Sequence, residues 1–113
     1  MSLRPRTREQ PEAGYVYIWE YRVHPKFVSE FEQAYGPKGP WVELFKSAKG
    51  YLSTELLRDH RSADRYLTID SWDAAESWET FRSERASEFE AIDAECEVFT
   101  IRERQIGRYH PVG

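Results

Sequence analysis

The chain has a single cysteine, Cys96. No disulfide can form within it, and a lone thiol reads as a small buried side chain. Metal-ligand patterns are missing too. His24, His60 and His110 lie far apart, none has a second ligand at metal spacing, and no metal site is expected. There is no glycine-rich phosphate loop, no GxSxG elbow and no HExxH. No apolar run approaches the ~20 residues of a membrane span. The first residues lack the apolar core of a signal peptide, so the expected location is cytoplasmic, with no membrane partner. Basic residues are outnumbered, 16 against 20 acidic ones, and the two signs are interspersed. No basic face forms, which argues against nucleic acid as a partner.

Aromatic residues are what the chain does have, with four Trp, seven Tyr and six Phe among 113 residues. A domain this small has room for one core. So heavy an aromatic load points to a lined cavity or a subunit contact beside that core.

Residues 1–14 (MSLRPRTREQPEAG) hold two prolines and three arginines and almost nothing apolar, which reads as a flexible arm. The folded domain is expected over residues 15–109, with 110–113 as a tail. Tyr15 to Val23 (YVYIWEYRV) is a strand by its aromatic and β-branched content. Tyr15, Tyr17, Trp19, Tyr21 and Val23 alternate onto one face, and Val16, Ile18, Glu20 and Arg22 onto the other. With both faces largely apolar, the strand should be covered on both sides. A chain this short can hardly supply two covers, so a second copy is expected to supply one.

Pro25 opens a helix with Phe27, Val28, Phe31, Ala34 and Tyr35 at helical spacing, closed by Gly36. A short helix follows with Trp41, Leu44, Phe45 and Ala48 on one side and a stop at Gly50. Leu52 to Arg58 and Arg65 to Trp72 read as two strands joined by the polar turn DHRSAD. Asp73 has the type of an N-cap, and Glu76 completes a capping box for one long helix running to about Ala94. Cys96 to Tyr109 is the last strand. The order β, α, short α, β, β, α, β defines an α+β, ferredoxin-like split βαβ fold with one extra short helix.

One residue breaks the pattern of the long helix. Trp78, Phe81, Phe89 and Ile92 form an apolar stripe, and Arg85 falls in its middle. A guanidinium there either snorkels to an edge, pairs with a carboxylate such as Glu20 or Asp70, or stands as a cation in an aromatic pocket.

The run IWEYRVHP, the aromatic helix, GYLSTELLRD and RYLTIDSWDAAESWETF together resemble the antibiotic biosynthesis monooxygenase (ABM) family. The likeness extends from Tyr15 to about Gly107, and its most specific part is the strand that ends in Trp72 and turns at once into a helix. The resemblance implies a homodimer in which two sheets close an α/β barrel. It also implies a cofactor-independent monooxygenase acting with dioxygen on a planar phenolic or quinol-like substrate, in a cleft between sheet and helices. On that reading Tyr21 and Arg85 bind the substrate anion. Tyr17, Trp19, Trp78, Phe81 and Arg82 form the rest of the pocket. Asp70 and Glu20 are the candidate proton acceptors. A haem-degrading branch of the family uses Asn, Trp and His where this chain carries Tyr21, Phe81 and Ala91, so haem degradation is not expected. The alternative is a non-catalytic dimeric module that binds an aromatic metabolite or a protein partner.

Overall fold

The computed structural model describes residues 13–112. Most of the arm expected over residues 1–14 lies outside them. Strands β1 (Tyr15–Val23), β2 (Tyr51–Arg58), β3 (Arg65–Trp72) and β4 (Thr100–Tyr109) form one antiparallel sheet in the order β2-β3-β1-β4. A short 3-10 turn (Pro25–Phe27) leads into α1 (Val28–Tyr35), and α2 (Pro40–Phe45) follows. Helices α3 (Ala75–Glu84) and α4 (Ala86–Cys96) connect β3 to β4. The fold is α+β and ferredoxin-like, as the element order implies.

Alternation along the strands sets the two faces. On β3 the even positions Tyr66, Thr68, Asp70 and Trp72 are buried while the odd positions are not. Tyr17 and Tyr21 of β1 share that buried face. Phe31 and Tyr35 of α1, Trp41 and Phe45 of α2, and Phe81 of α3 pack onto it. Trp72 is fully buried and touches Phe45, Tyr51, Trp78 and Phe81. Truncating it to alanine costs about 3–5 kcal/mol, the usual loss for a large core aromatic.

The opposite face carries Val16 and Ile18 of β1 with Leu67 and Ile69 of β3, all half-buried. The exposed Leu57 and Tyr109 flank them, paired in register with Leu67 and Val16.

Gly50 joins the two halves. Its φ of 95° lies in the left-handed region that glycine tolerates, and its carbonyl accepts the Asp73 N–H at 2.8 Å.

Two expectations about the long helix are corrected. Asp73 does not cap it, because the helix begins at Ala75 behind Ala74, which makes no side-chain cap. Asp73 instead accepts the Ser77 hydroxyl at 2.6 Å. Nor is the helix continuous. Arg85 leaves the helical region (φ −114°, ψ 27°) and separates α3 from α4. A straight helix would drive its guanidinium into an aromatic core without a partner. The break releases that conflict: the Arg85 side chain is 41% exposed and pairs with Glu88 at 2.7 Å. The last strand also starts later than expected, because α4 runs on through Cys96, whose thiol is free and buried.

Candidate functional site

Between the buried sheet face and the helices lies a cavity of about 460 Å³. That is the size of a pocket for a small aromatic molecule. Strand register builds its floor in rows. Thr54, Asp70, Tyr17 and Arg108 stand side by side across β2, β3, β1 and β4, and Thr68, Trp19 and Gln105 of β3, β1 and β4 form the next row. Neighbouring strands lie about 4.8 Å apart, so the row from Asp70 to Arg108 is about 10 Å long. Trp41 and Phe45 of α2 with Trp78 of α3 and Phe89 of α4 form the roof. Trp41 meets Phe89 edge-on at 4.9 Å, and Tyr17 lies 4.8 Å from Trp78.

Asp70 is the polar centre of this floor. Only 5% of it is exposed, and its carboxylate accepts the Thr54 hydroxyl at 2.5 Å. No cation pairs with it among the described residues. Burial pushes its pKa up to about 7, against the pull of the Thr54 hydrogen bond. Tyr17 beside it is raised well above the ordinary phenol value, first by burial and then by the Asp70 charge. The Tyr21 hydroxyl bonds to Thr68 Oγ1 at 2.9 Å. Burial raises Tyr21 as well, so it remains a neutral phenol and is no base at physiological pH.

Charge lines other parts of the wall. Arg82 of α3 lies over the Phe89 ring, 3.9 Å from its centroid, and Arg108 adds a second cation from β4. Asp93 and Glu103 also line the cavity, and Glu103 is pushed up by burial first and by Asp93 second.

Of the residues singled out from sequence, the structure brings Tyr17, Trp19, Tyr21, Asp70, Trp78 and Arg82 to this one cavity. Three others stand elsewhere. Phe81 is buried in the core beside Trp72 and Phe45. Arg85, at the helix break, lines a separate surface hollow with Lys49 and Glu84. Glu20 lies on the opposite sheet face, where Arg65 and Arg104 both bind it and hold its carboxyl below the usual range. Thr54, Thr68, Tyr35 and Arg108 were missed. Their place follows from cross-strand register and helix docking, which no local pattern encodes.

The chain is thus an α+β sheet roofed by helices over a cavity with a buried carboxyl. A family model described as antibiotic biosynthesis monooxygenase matches residues 14–93. The chain belongs to that family. Among solved structures it is similar to SnoaB, a cofactor-independent oxygenase from Streptomyces nogalater. That likeness has TM-score 0.74 at 15% identity and covers 90% of this chain and 96% of that one. A conserved protein from Methanosarcina mazei Go1 gives TM-score 0.68 at 12% identity over 88% and 94%. A NIPSNAP family protein from Agrobacterium tumefaciens gives 0.65 at 9% over 87% and 92%. At such identities these likenesses establish the fold. No curated protein matches.

Proposed function

We propose that this chain is a cofactor-independent monooxygenase for a planar phenolic or quinol-like molecule, with Asp70 as the proton acceptor. The observation that carries the reading is the Asp70 carboxyl, buried in an aromatic cavity with its pKa near 7. A carboxyl of ordinary pKa is too weak a base for a phenol, whereas one near neutrality matches a general base to the working pH. The SnoaB likeness and the family support the reaction class.

The chemistry balances without a separate reductant. Asp70 removes a proton from the substrate's activated carbon or its phenol, and Arg82 and Arg108 offset the charge that spreads over the ring. The anion passes electrons to dioxygen, and a carbon–oxygen bond forms at the activated carbon. Asp70 returns its proton to the peroxide, the O–O bond then breaks, the remaining hydrogen leaves that carbon, and the second oxygen departs as water with both hydrogens. A methylene plus dioxygen becomes a ketone plus water, and the substrate supplies all four electrons. Trp19, Trp41 and Trp78 hold the ring system and exclude water from the anion.

The working unit is a homodimer joined through the sheet face that carries Val16, Ile18, Leu67 and Ile69. Half-buried aliphatics on a sheet face that the helices leave open support that arrangement.

A second reading is a non-catalytic binding module. It is favoured by the Arg85–Glu88 pair, which removes one cation from the cavity, and by the engagement of Tyr21 with Thr68. Oxygen consumption with a panel of anthrones and hydroquinones separates the two. Uptake by the wild type that Asp70→Asn loses supports the oxygenase. Binding of the same compounds without uptake leaves the binding module.

A further inference from the structure

The two oxygens of the Asp70 carboxyl are not equivalent. Oδ1 accepts the Thr54 hydroxyl at 2.5 Å, and Thr54 Oγ1 in turn lies 2.8 Å from Tyr51 Oη. Oδ2 has no hydrogen-bond partner among the described residues and is open to the cavity that Asp70 lines. Strand register places the two hydroxyls. Tyr51 pairs with Trp72 and Thr54 with Asp70, with a register shift between Tyr51 and Ser53. Side chains three apart on a regular strand point to opposite faces, and the shift lets these two share one. The Tyr51 ring is held edge-on to Trp72 at 5.4 Å and tilted against Phe45 at 5.6 Å.

Proton count fixes the direction of the line. A threonine hydroxyl has one proton and an ionised carboxylate only accepts, so Thr54 donates to Asp70 Oδ1. Tyr51 must then donate to Thr54. Burial first, and the Asp70 charge less strongly, raise the Tyr51 phenol, so it keeps its proton.

We infer that Tyr51 and Thr54 are positioning residues that confine the Asp70 proton to Oδ2, the oxygen facing the cavity. The inference rests on the oxygenase reading for what the proton does and on geometry alone for where it sits. A proton taken onto Oδ2 leaves Oδ1 as a carbonyl oxygen that still accepts from Thr54, and nothing else moves. A proton on Oδ1 would have to donate to Thr54 and turn that hydroxyl toward Tyr51. The Tyr51 proton would then lose its acceptor, because Tyr51 Oη has no other partner among the described residues. In the proposed reaction Asp70 removes a proton from the substrate and returns it to the peroxide. Both transfers take place at Oδ2, and Thr54 and Tyr51 neither gain nor lose a proton.

Other titratable groups share the cavity with Asp70. Tyr17 and Tyr21 on β1 are buried phenols held neutral. Arg82 on α3, Asp93 on α4, and Glu103 and Arg108 on β4 line its wall. Among the described residues none of them hydrogen-bonds the Asp70 carboxyl, so Thr54 decides which oxygen is engaged.

The test uses the full chain with four variants: Thr54→Val, Thr54→Ser, Tyr51→Phe and Asp70→Asn. Infrared difference spectra across the Asp70 titration give the C=O stretch of the protonated acid, with Asp70→Asn assigning the band. In the wild type Oδ1 is the carbonyl and accepts from Thr54, so Thr54→Val moves the stretch to higher frequency. Thr54→Ser restores it, and Tyr51→Phe moves it part of the way. The titration midpoint also rises by about one pH unit in Thr54→Val, because the ionised form loses its donor. A stretch that stays put in Thr54→Val puts the proton on the Thr54 side and overturns the inference, whatever the midpoint does. A Tyr51→Phe band identical to wild type overturns the part given to Tyr51. In turnover, Thr54→Val lowers kcat about tenfold with KM unchanged, and Thr54→Ser recovers it. An unchanged kcat overturns the role in the reaction. The spectra need no substrate, so the two readings fail separately. A shifted stretch without oxygen uptake by the wild type removes the oxygenase reading and keeps the proton on Oδ2.

Discussion

Two carboxyls on adjacent strands of this sheet meet opposite fates. Glu20 of β1 lies on the open face, where Arg65 and Arg104 grip it and hold its pKa down. Asp70 of β3 lies on the helix-covered face with one hydroxyl donor, and burial lifts it to about 7. Residue type is nearly the same and the sheet is shared, so the difference comes from which way the pleat turns each side chain. A carboxylate with cations at hand is locked in its charged form and useless as a base. One placed among Tyr17, Thr54 and Thr68 without a cation is poised to exchange a proton at neutral pH. The two faces divide in the same way, with ion pairs and aliphatics on one and a buried carboxyl among aromatics on the other.

The largest effect should come from breaking the reactive side of that contrast. Asp70→Asn keeps the shape and the Thr54 contact but accepts no proton, so oxygen uptake should fall on the order of a hundred- to ten-thousand-fold. Loss of that size in kcat/KM, with near-UV circular dichroism unchanged, is the expected outcome.

Stability should follow pH with a definite sign. The folded-state pKa of Asp70 is raised from 3.8 to about 7, so folding favours the protonated form. Its contribution is complete below about pH 4 and is lost as pH rises to about 7. Three pH units at about 1.4 kcal/mol each set a ceiling near 4 kcal/mol. Denaturant melts of wild type and Asp70→Asn at pH 4 and pH 8 should therefore diverge, with the variant gaining relative stability at pH 8.

On the open face, Ile18→Lys introduces a charge between Ile69 and Gly107. It should weaken self-association by about a hundredfold, since an unpaired charge in an apolar contact costs a few kcal/mol. Light scattering across a concentration series reads this directly. The smallest contrast is between two arginines a turn apart. Arg82→Met should raise KM about tenfold by removing a cation from the cavity wall, in line with the loss of one charge-assisted contact. Arg85→Ala should leave both KM and kcat where they were.

Much of this architecture was legible in the chain itself. Tyr15–Val23 and Arg65–Trp72 announce themselves by alternation, and both have the expected bounds. Six cavity residues, Asp70 among them, stood out by type and position. What stayed hidden depends on tertiary geometry. The apolar stripe through Trp78, Phe81 and Phe89 predicts one helix, yet the backbone leaves helical geometry at Arg85 and makes two. Glu20 and Asp70 are equivalent candidates until strand pairing shows which face each occupies. Thr54 meets Asp70 only through the register of β2 on β3, which the alternation within either strand does not reveal.

The most direct test is a carbon NMR titration of side-chain carboxyls in the intact protein, resolving Asp70 and Glu20 in one experiment. The account predicts an Asp70 midpoint near 7 and a Glu20 midpoint below the ordinary glutamate value of 4.5. An Asp70 midpoint in the ordinary aspartate range would contradict it, whatever oxygen uptake shows.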